Sequence, residues 1–322
     1  MFRIDDATAA TSLPAPEAAG TEGYFTEGNP TAGTPATNVR GSWLNMIQEE
    51  LCAILTAAGI VRSKTTYNQV NSALQKMYGG VIGSVRNGRM YVAAASATAT
   101  YTADEVIVET ALGAQPFRVA SINQTINLAG ANGIGGMDTG SAPVNGYVAL
   151  YEMFNPTTGA KGLMGWNATS SVAPSIYGGS SAPAGYTASG LLTVVPTNGS
   201  GQFAPVLVRD RNVGIPIKTA LTTNTVQGTL TSLSIASIVP PNAVSVAGEL
   251  SIASTSTSTV ALTIASDAAP LYQQNTTASV GTTGYVANYA NVFLSAAQTV
   301  YWGSANTAGT PTYNIYISSY TI

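Results

Sequence analysis

The chain has 322 residues, of which 45% are apolar and only 8% charged, with a formal net charge of −3 and no histidine. Soluble proteins carry roughly 25% charged residues, yet the ordinary hydrophobicity here excludes the disordered class, which pairs low hydrophobicity with high charge. The missing histidine removes the usual general base, the Ser-His-Asp and Cys-His nucleophile arrangements and the commonest zinc ligand. The single Cys52 allows neither an intrachain disulfide nor a thiolate metal site.

Residues 1–50 hold seven acids and two bases, whereas residues 219–322 contain no Lys or Arg and only Glu249 and Asp267 as charges. Binding a nucleic acid takes a cluster of cations to displace counterions, so no nucleic-acid partner is expected. The opening Met1-Phe2-Arg3-Ile4-Asp5-Asp6 has no apolar signal region. The longest apolar stretch, Leu51 to Val61, is too short to span a bilayer. Synthesis in a cytosol without membrane insertion is the expectation.

Residues 1–40 read as an extended arm, because Pro14, Pro16, Pro30 and Pro35 lie among Gly20, Gly23, Gly28 and Gly33, which defeats both helix and ladder. The arm also carries Leu13, Tyr24 and Phe25, bulky groups that a solvated linker does not need. Residues 41–80 read as a helical pair. In the first helix Ser42 is the expected N-cap. Trp43, Leu44, Ile47, Leu51, Ile54, Leu55 and Ala58 then recur at helical spacing up to Gly59. The second helix starts on Thr66-Tyr67-Asn68-Gln69, a capping-box pattern, with Tyr67, Val70, Leu74 and Met77 as its stripe and Gly79-Gly80 as its end. Cys52 falls inside the first helix as a small buried hydrophobe.

From Val81 the period changes to two. Residues 81–218 read as one β domain. Its clearest strand is Gly146–Phe154, where Val148, Leu150 and Phe154 face one side and Glu152 breaks the pattern. Val206-Leu207-Val208 is a short strand followed by an Arg209-Asp210-Arg211-Asn212 turn. Residues 219–322 read as a C-terminal β domain. There Val260, Leu262 and Ile264, then Tyr313, Ile315 and Ile317, alternate with small or polar residues, and Pro240-Pro241-Asn242 marks a tight break. The expected class is therefore mainly β: an arm, a short helical pair, then two sandwich- or jelly-roll-like domains.

Candidate chemistry is thin. Asp104, Glu105, Glu109, Asp138 and Glu152 would permit a two-carboxylate glycoside hydrolysis, but the chain shows no deep-cleft or repeated β-coil pattern and these acids read as solvated turns. Gly133-Ile134-Gly135-Gly136-Met137-Asp138 lacks the Lys-Ser/Thr of a phosphate-binding loop and reads as a flexible loop. No catalytic residue, metal site or cofactor is expected. Tyr272, Tyr285, Tyr289, Tyr301, Trp302, Tyr313, Tyr316 and Tyr320 stand among amides and hydroxyls with almost no charge. Such rings serve as core or as binding platforms; Tyr301, Trp302, Tyr313 and Tyr316 are the receptor-facing candidates.

The run Leu13-Pro14-Ala15-Pro16, Gly20–Pro30, Ala36-Thr37 and Trp43–Leu51 resembles the N-terminus of bacteriophage tail fibre proteins, where this module joins the fibre to the tail or baseplate. Gly136–Pro143 and Pro183–Ser189 resemble a β module of phage tail-associated proteins. Together they cover roughly residues 5–215. The resemblance implies a virion protein of the tail, made in the host cytoplasm and assembled as a homotrimer. Its attachment arm would be carried by Leu13, Pro14, Pro16, Tyr24, Phe25, Asn29 and Pro30, docking on tail, baseplate or adaptor proteins. The Trp43, Leu44, Ile47, Leu51, Ile54 stripe is the candidate threefold seam. The C-terminal domain would face a host-surface glycan or protein; a purely structural tail component is the alternative, and a glycan-degrading enzyme a further one.

Overall fold

Helical periodicity gives way to alternation at Gly80, and the computed structural model, which describes residues 1–322, divides there into two units, Met1–Gly79 and Gly80–Ile322. The first contains a single 3-10 turn (Pro30–Ala32) and two helices, α1 (Gly41–Ala57) and α2 (Gln69–Tyr78). Its core is small: Leu55 and Ala58 meet Ala73, with Ile54, Ile60, Val70 and Met77 packed around them. The α1 C-terminus is closed by Gly59 at φ 66°, where Ile60 N donates to Leu55 O and Gly59 N to Thr56 O. This Schellman arrangement is one that a β-carbon at the left-handed position would strain.

The N-termini differ from expectation. Arg40, not Ser42, occupies the α1 cap, without a side-chain bond. The α2 capping box does not form: Asn68 sits at the cap, Thr66 Oγ1 donates to Ser63 Oγ instead, and Gln69 is buried. Tyr67 and Leu74 of the expected stripe are exposed, because α2 meets α1 through Ala73, flanked by Val70 and Met77.

The second unit holds sixteen strands. The first eight are β1 (Val85–Arg86), β2 (Arg89–Val92), β3 (Thr98–Glu109), β4 (Pro116–Asn127), β5 (Tyr147–Phe154), β6 (Lys161–Asn167), β7 (Ala188–Pro196) and β8 (Val206–Arg209). Then come β9 (Asn212–Thr223), β10 (Thr231–Ser234), β11 (Ser245–Ser254), β12 (Ser258–Ala265), β13 (Gln274–Val280), β14 (Tyr285–Phe293), β15 (Thr299–Asn306) and β16 (Pro311–Thr321). Twelve of them form one sheet, in the order β14-β11-β16-β9-β8-β2-β3-β7-β5-β6 with β1 and β4 attached to β3; four form a second, β10-β15-β12-β13.

Strands β9 to β16 divide between two layers, β14-β11-β16-β9 and β10-β15-β12-β13, which is the order of a jelly roll. Val260, Leu262, Ile264, Val300 and Trp302 of the small layer pack on Leu250, Ile252, Tyr289, Tyr313, Ile315 and Ile317 of the large one. Each such side chain, fully buried, contributes roughly 1.5–3 kcal/mol. The division placed after residue 218 falls inside β9, whose hairpin with β8 turns at Asp210-Arg211. The expected turn is thus present, but it joins neighbouring strands of one continuous sheet. Tyr320 Oη of β16 donates to Val194 O of β7 at 2.7 Å, a further tie between the jelly roll and the strands before it.

Strand β5 is buried on both faces rather than one. Val148 and Leu150 enter the main core, while Tyr147, Ala149, Tyr151 and Met153 form a second cluster with Met164 and Tyr177. Two covered faces explain its near-continuous apolar sequence. The glycine-rich loop is not loose: Gly135 N donates to Leu163 O, and Gly165 N to Gly136 O, so it runs as an added rung on β6. No helix is long and apolar enough to cross a membrane.

Candidate functional site

The arm does not trail away from its helices. Arg3 forms a two-pronged pair with Glu49, Nε to Oε1 and Nη2 to Oε2, both at 2.6 Å. Lys64 Nζ donates to Asp5 Oδ2 at 2.7 Å, and Ile4 N to Gln48 Oε1 at 2.7 Å. The buried Gln69 side chain is the hub: it accepts from the Met1 amino group at 2.5 Å and from Ser63 N, and donates to Val61 O. The lone Gln69 at a helix start held no sequence signal for this role. These bonds hold the Glu49 and Asp5 carboxyls below their usual range, chiefly through the Arg3 and Lys64 hydrogen bonds.

Beyond Asp6 the arm swings out and returns. Residues 26–37 close on themselves: Thr37 N donates to Thr26 O and Asn29 Oδ1 accepts from Ala32 N at the 3-10 turn containing Pro30. At Gly28, φ 73°, a β-carbon would lie 2.6 Å from Thr34 O, so glycine is required. Asn29 and Pro30 thus build a local turn, while Leu13, Tyr24 and Phe25 stay uncovered, Tyr24 being 99% exposed. An open cavity of about 1020 Å³ lies between the outward loop and α1, lined by Leu13, Pro14, Pro16, Tyr24, Phe25 and Trp43 among others. Phe25 meets Trp43 edge to face at 4.9 Å. Along α1, Trp43, Leu44, Met46 and Ile47 are exposed, whereas Leu51 and Ile54 are half-buried and Cys52 and Leu55 buried. The seam candidates therefore split: the N-terminal turns are free for a partner, and the C-terminal turns are already used.

In the C-terminal strands Trp302 and Tyr313 are buried in the main core. Their rings are consumed by packing between the two layers and cannot face a receptor, a correction to the sequence reading. Tyr301 and Tyr316 are half-buried, and Tyr316 O accepts from the buried Tyr289 Oη at 2.8 Å. The aromatic pair that is exposed lies elsewhere. Tyr272, in the β12–β13 loop, packs on Phe293 at the end of β14 with ring centroids 4.9 Å apart and a 53° tilt; they are 63% and 43% exposed. Tyr272 was visible among the charge-poor aromatics, but only the topology joins it to Phe293.

The acids occupy separate environments. Asp138 accepts from Tyr177 Oη at 3.0 Å, and Tyr177 packs on Tyr151 at 5.6 Å. Glu152 follows Tyr151 on β5 and so points to the opposite face. It is fully buried; Gln124 Nε2 donates to its Oε1 at 3.2 Å, and its Oε2 has no partner. Burial pushes its carboxyl up to about 8, against the opposing pull of Lys161 and Gln124. Asp138 and Glu152 thus have different hydrogen-bond partners, Tyr177 and Gln124. Nowhere do three or more His, Cys, Asp or Glu side chains gather as a metal would require.

No protein-family model matches the chain. Over 77 residues it is 40% identical to the uncharacterized protein StfP of Escherichia coli K12, a match covering 24% of this chain and 35% of that protein.

Proposed function

We propose that the chain is a bacteriophage tail fibre subunit, a virion structural protein that trimerises, docks on the tail, baseplate or an adaptor through its N-terminal arm, and presents its jelly roll to the host surface. It acts through surfaces rather than catalysis and uses no cofactor. The observation that carries this reading is the uncovered apolar set of the first unit: Leu13, Tyr24 and Phe25 on the arm, with Trp43, Leu44, Met46 and Ile47 on α1. The unit's own core holds only three buried residues, Leu55, Ala58 and Ala73, while these large apolar side chains stay outside it, and contiguous exposed patches of this kind mark interaction sites. The resemblance of the same residues to a fibre attachment module supplies the partner.

Leu44 and Ile47, one turn apart, are the part of the seam open to other copies. Threefold packing there would bury them, and trimerisation multiplies a weak receptor contact by linking three sites. Sedimentation equilibrium of the full chain at micromolar concentration should return a trimer, and a monomer would remove this reading of α1. Deleting residues 1–40 should prevent incorporation into virions. The full chain added in excess should block infection.

A further inference from the structure

The three jelly-roll loops at one end of the barrel converge around the exposed Tyr272–Phe293 pair. The β10–β11 loop is joined to the β14–β15 loop by Ile235 N donating to Gln298 O and by Gln298 Nε2 donating to Val239 O at 2.6 Å. The β12–β13 loop is joined to the β14–β15 loop by Ser295 Oγ, which donates to Ser266 O at 2.6 Å and to Asp267 Oδ2 at 3.3 Å. Below them, the Gln274 side chain mimics a ladder rung, its Oε1 accepting from Ala290 N and its Nε2 donating to Ala290 O. The platform is therefore fixed before any ligand arrives, which lowers the ordering cost of binding.

Three further features set this patch apart from an ordinary loop end. Tyr272, Asn291 and Gln298 hold left-handed backbone at φ 47°, 55° and 51°, and non-glycine residues in that region cluster at ligand sites. The hydroxyl of Ser266, buried under the loops, has no partner. The surface has no cation to offer, since residues 219–322 lack Lys and Arg, and Asp267 is one of only two acids there. An anionic ligand would find no counter-charge, and a cationic one a single carboxylate already bonded to Ser295 and Ala269 N. What remains is an aromatic face bordered by the exposed amides of Gln273 and Asn291 and by the Asp267 carboxylate. That combination suits a neutral, polyhydroxylated ligand, whose C–H faces stack on rings and whose hydroxyls bond to amides and carboxylates.

We infer that the Tyr272–Phe293 platform, with Asp267, Gln273, Asn291 and Ser295, is a binding site for neutral glycans. This deepens the attachment reading above and rests on it for its biological setting, but not for its chemistry. The test applies the full chain to an array of neutral hexose and N-acetylhexosamine oligosaccharides and, separately, to host cells. Wild type should bind a subset of the array, unchanged between low and high salt because no charge pairing is involved. Tyr272→Ala with Phe293→Ala should weaken binding roughly tenfold or more, while Tyr272→Phe, which keeps the ring, should retain it. Unaltered thermal unfolding of the variants, expected because both rings are exposed, separates lost binding from lost folding. Wild-type binding to no neutral glycan, or equal binding by the double variant, overturns the site. Loss of self-association in the double variant with glycan binding intact would make the patch a subunit contact and likewise overturn it. Array binding and cell adsorption that both survive the double substitution would sink the site but leave host attachment standing. Array binding without any cell adsorption would leave the site and sink host attachment.

Discussion

The two units of this chain answer acid in opposite ways. In residues 1–79 the carboxylates of Asp5, Glu17 and Glu49 are paired with cations, and Asp5 and Glu49 are held below their ordinary values. In residues 80–322 Glu152 is sealed in an apolar core with one hydrogen bond, and its carboxyl is raised to about 8. The first unit thus spends its few charges on fastening an arm to helices, with large apolar groups left outside. The second gathers a large buried core in two clusters, and with it an acid that offsets its burial by staying protonated. The difference shows that one low-charge composition serves two purposes: a surface waiting for partners and a core complete in itself.

The largest effect that sharpens this comparison is truncation in the jelly-roll core. Trp302→Ala or Tyr313→Ala should each cost about 3–5 kcal/mol, read as a lower denaturant midpoint of the β unit's transition. A loss under about 1 kcal/mol, the range of an exposed site, would mean that those rings are not core. Next is Glu152→Gln. A carboxyl raised from 4.5 to about 8 in the folded state keeps its proton while the unfolded one loses it. Stability is then greatest below pH 4.5, declines as pH rises from about 4.5 to about 8, and stays lower above that. Glutamine keeps the amide-like shape without the charge, so it should flatten this decline and raise stability at pH 8 by roughly 2–4 kcal/mol. An unchanged slope in urea titrations across that window would show that Glu152 is not the group responsible.

Substituting Leu44→Asp with Ile47→Asp should leave the unfolding of the isolated protomer nearly unaltered, because both side chains are exposed there. The same change should abolish assembly in sedimentation. Smallest is the arm fastening. Its lowered carboxylates contribute stability above their ordinary values of 3.8 and 4.5, and this is lost as pH falls through the depressed folded values. Protection of the Ile4 amide, bonded to Gln48, should fall on acidification and on Arg3→Ala, with the helices intact. Global unfolding in either case would break the comparison.

Much of the fold was legible from periodicity. The alternations Val260-Leu262-Ile264 and Tyr313-Ile315-Ile317 became β12 and β16, and the stripe Leu51, Ile54, Leu55, Ala58 with Gly59 gave the end of α1, because one-sided burial and a left-handed stop are local matters. The sites were less legible. Trp302 and Tyr313 look like binding rings because a charge-poor neighbourhood is shared by cores and by neutral surfaces, and only the second layer decides between them. Glu152 broke the pattern of β5 in sequence, yet nothing local says that both faces of that strand are covered. The Thr66 capping pattern failed because Gln69 bonds to Val61, Ser63 and Met1, contacts outside any helix rule. Tyr272 and Phe293 stand apart in the chain, and only the convergence of three loops makes them neighbours.

The position of β16 has a consequence for how the protein comes into being. It lies between β11 and β9 and pairs with both along most of its length, yet it is synthesised after either. Until it arrives, two long strands present bare edges to the crowded interior of the producing cell, the condition under which sheets join to wrong neighbours. Closure across such a sequence distance is intrinsically slow. Expression at low temperature or with helper chaperones should therefore raise the yield of correctly folded material more than it would for the helical unit alone.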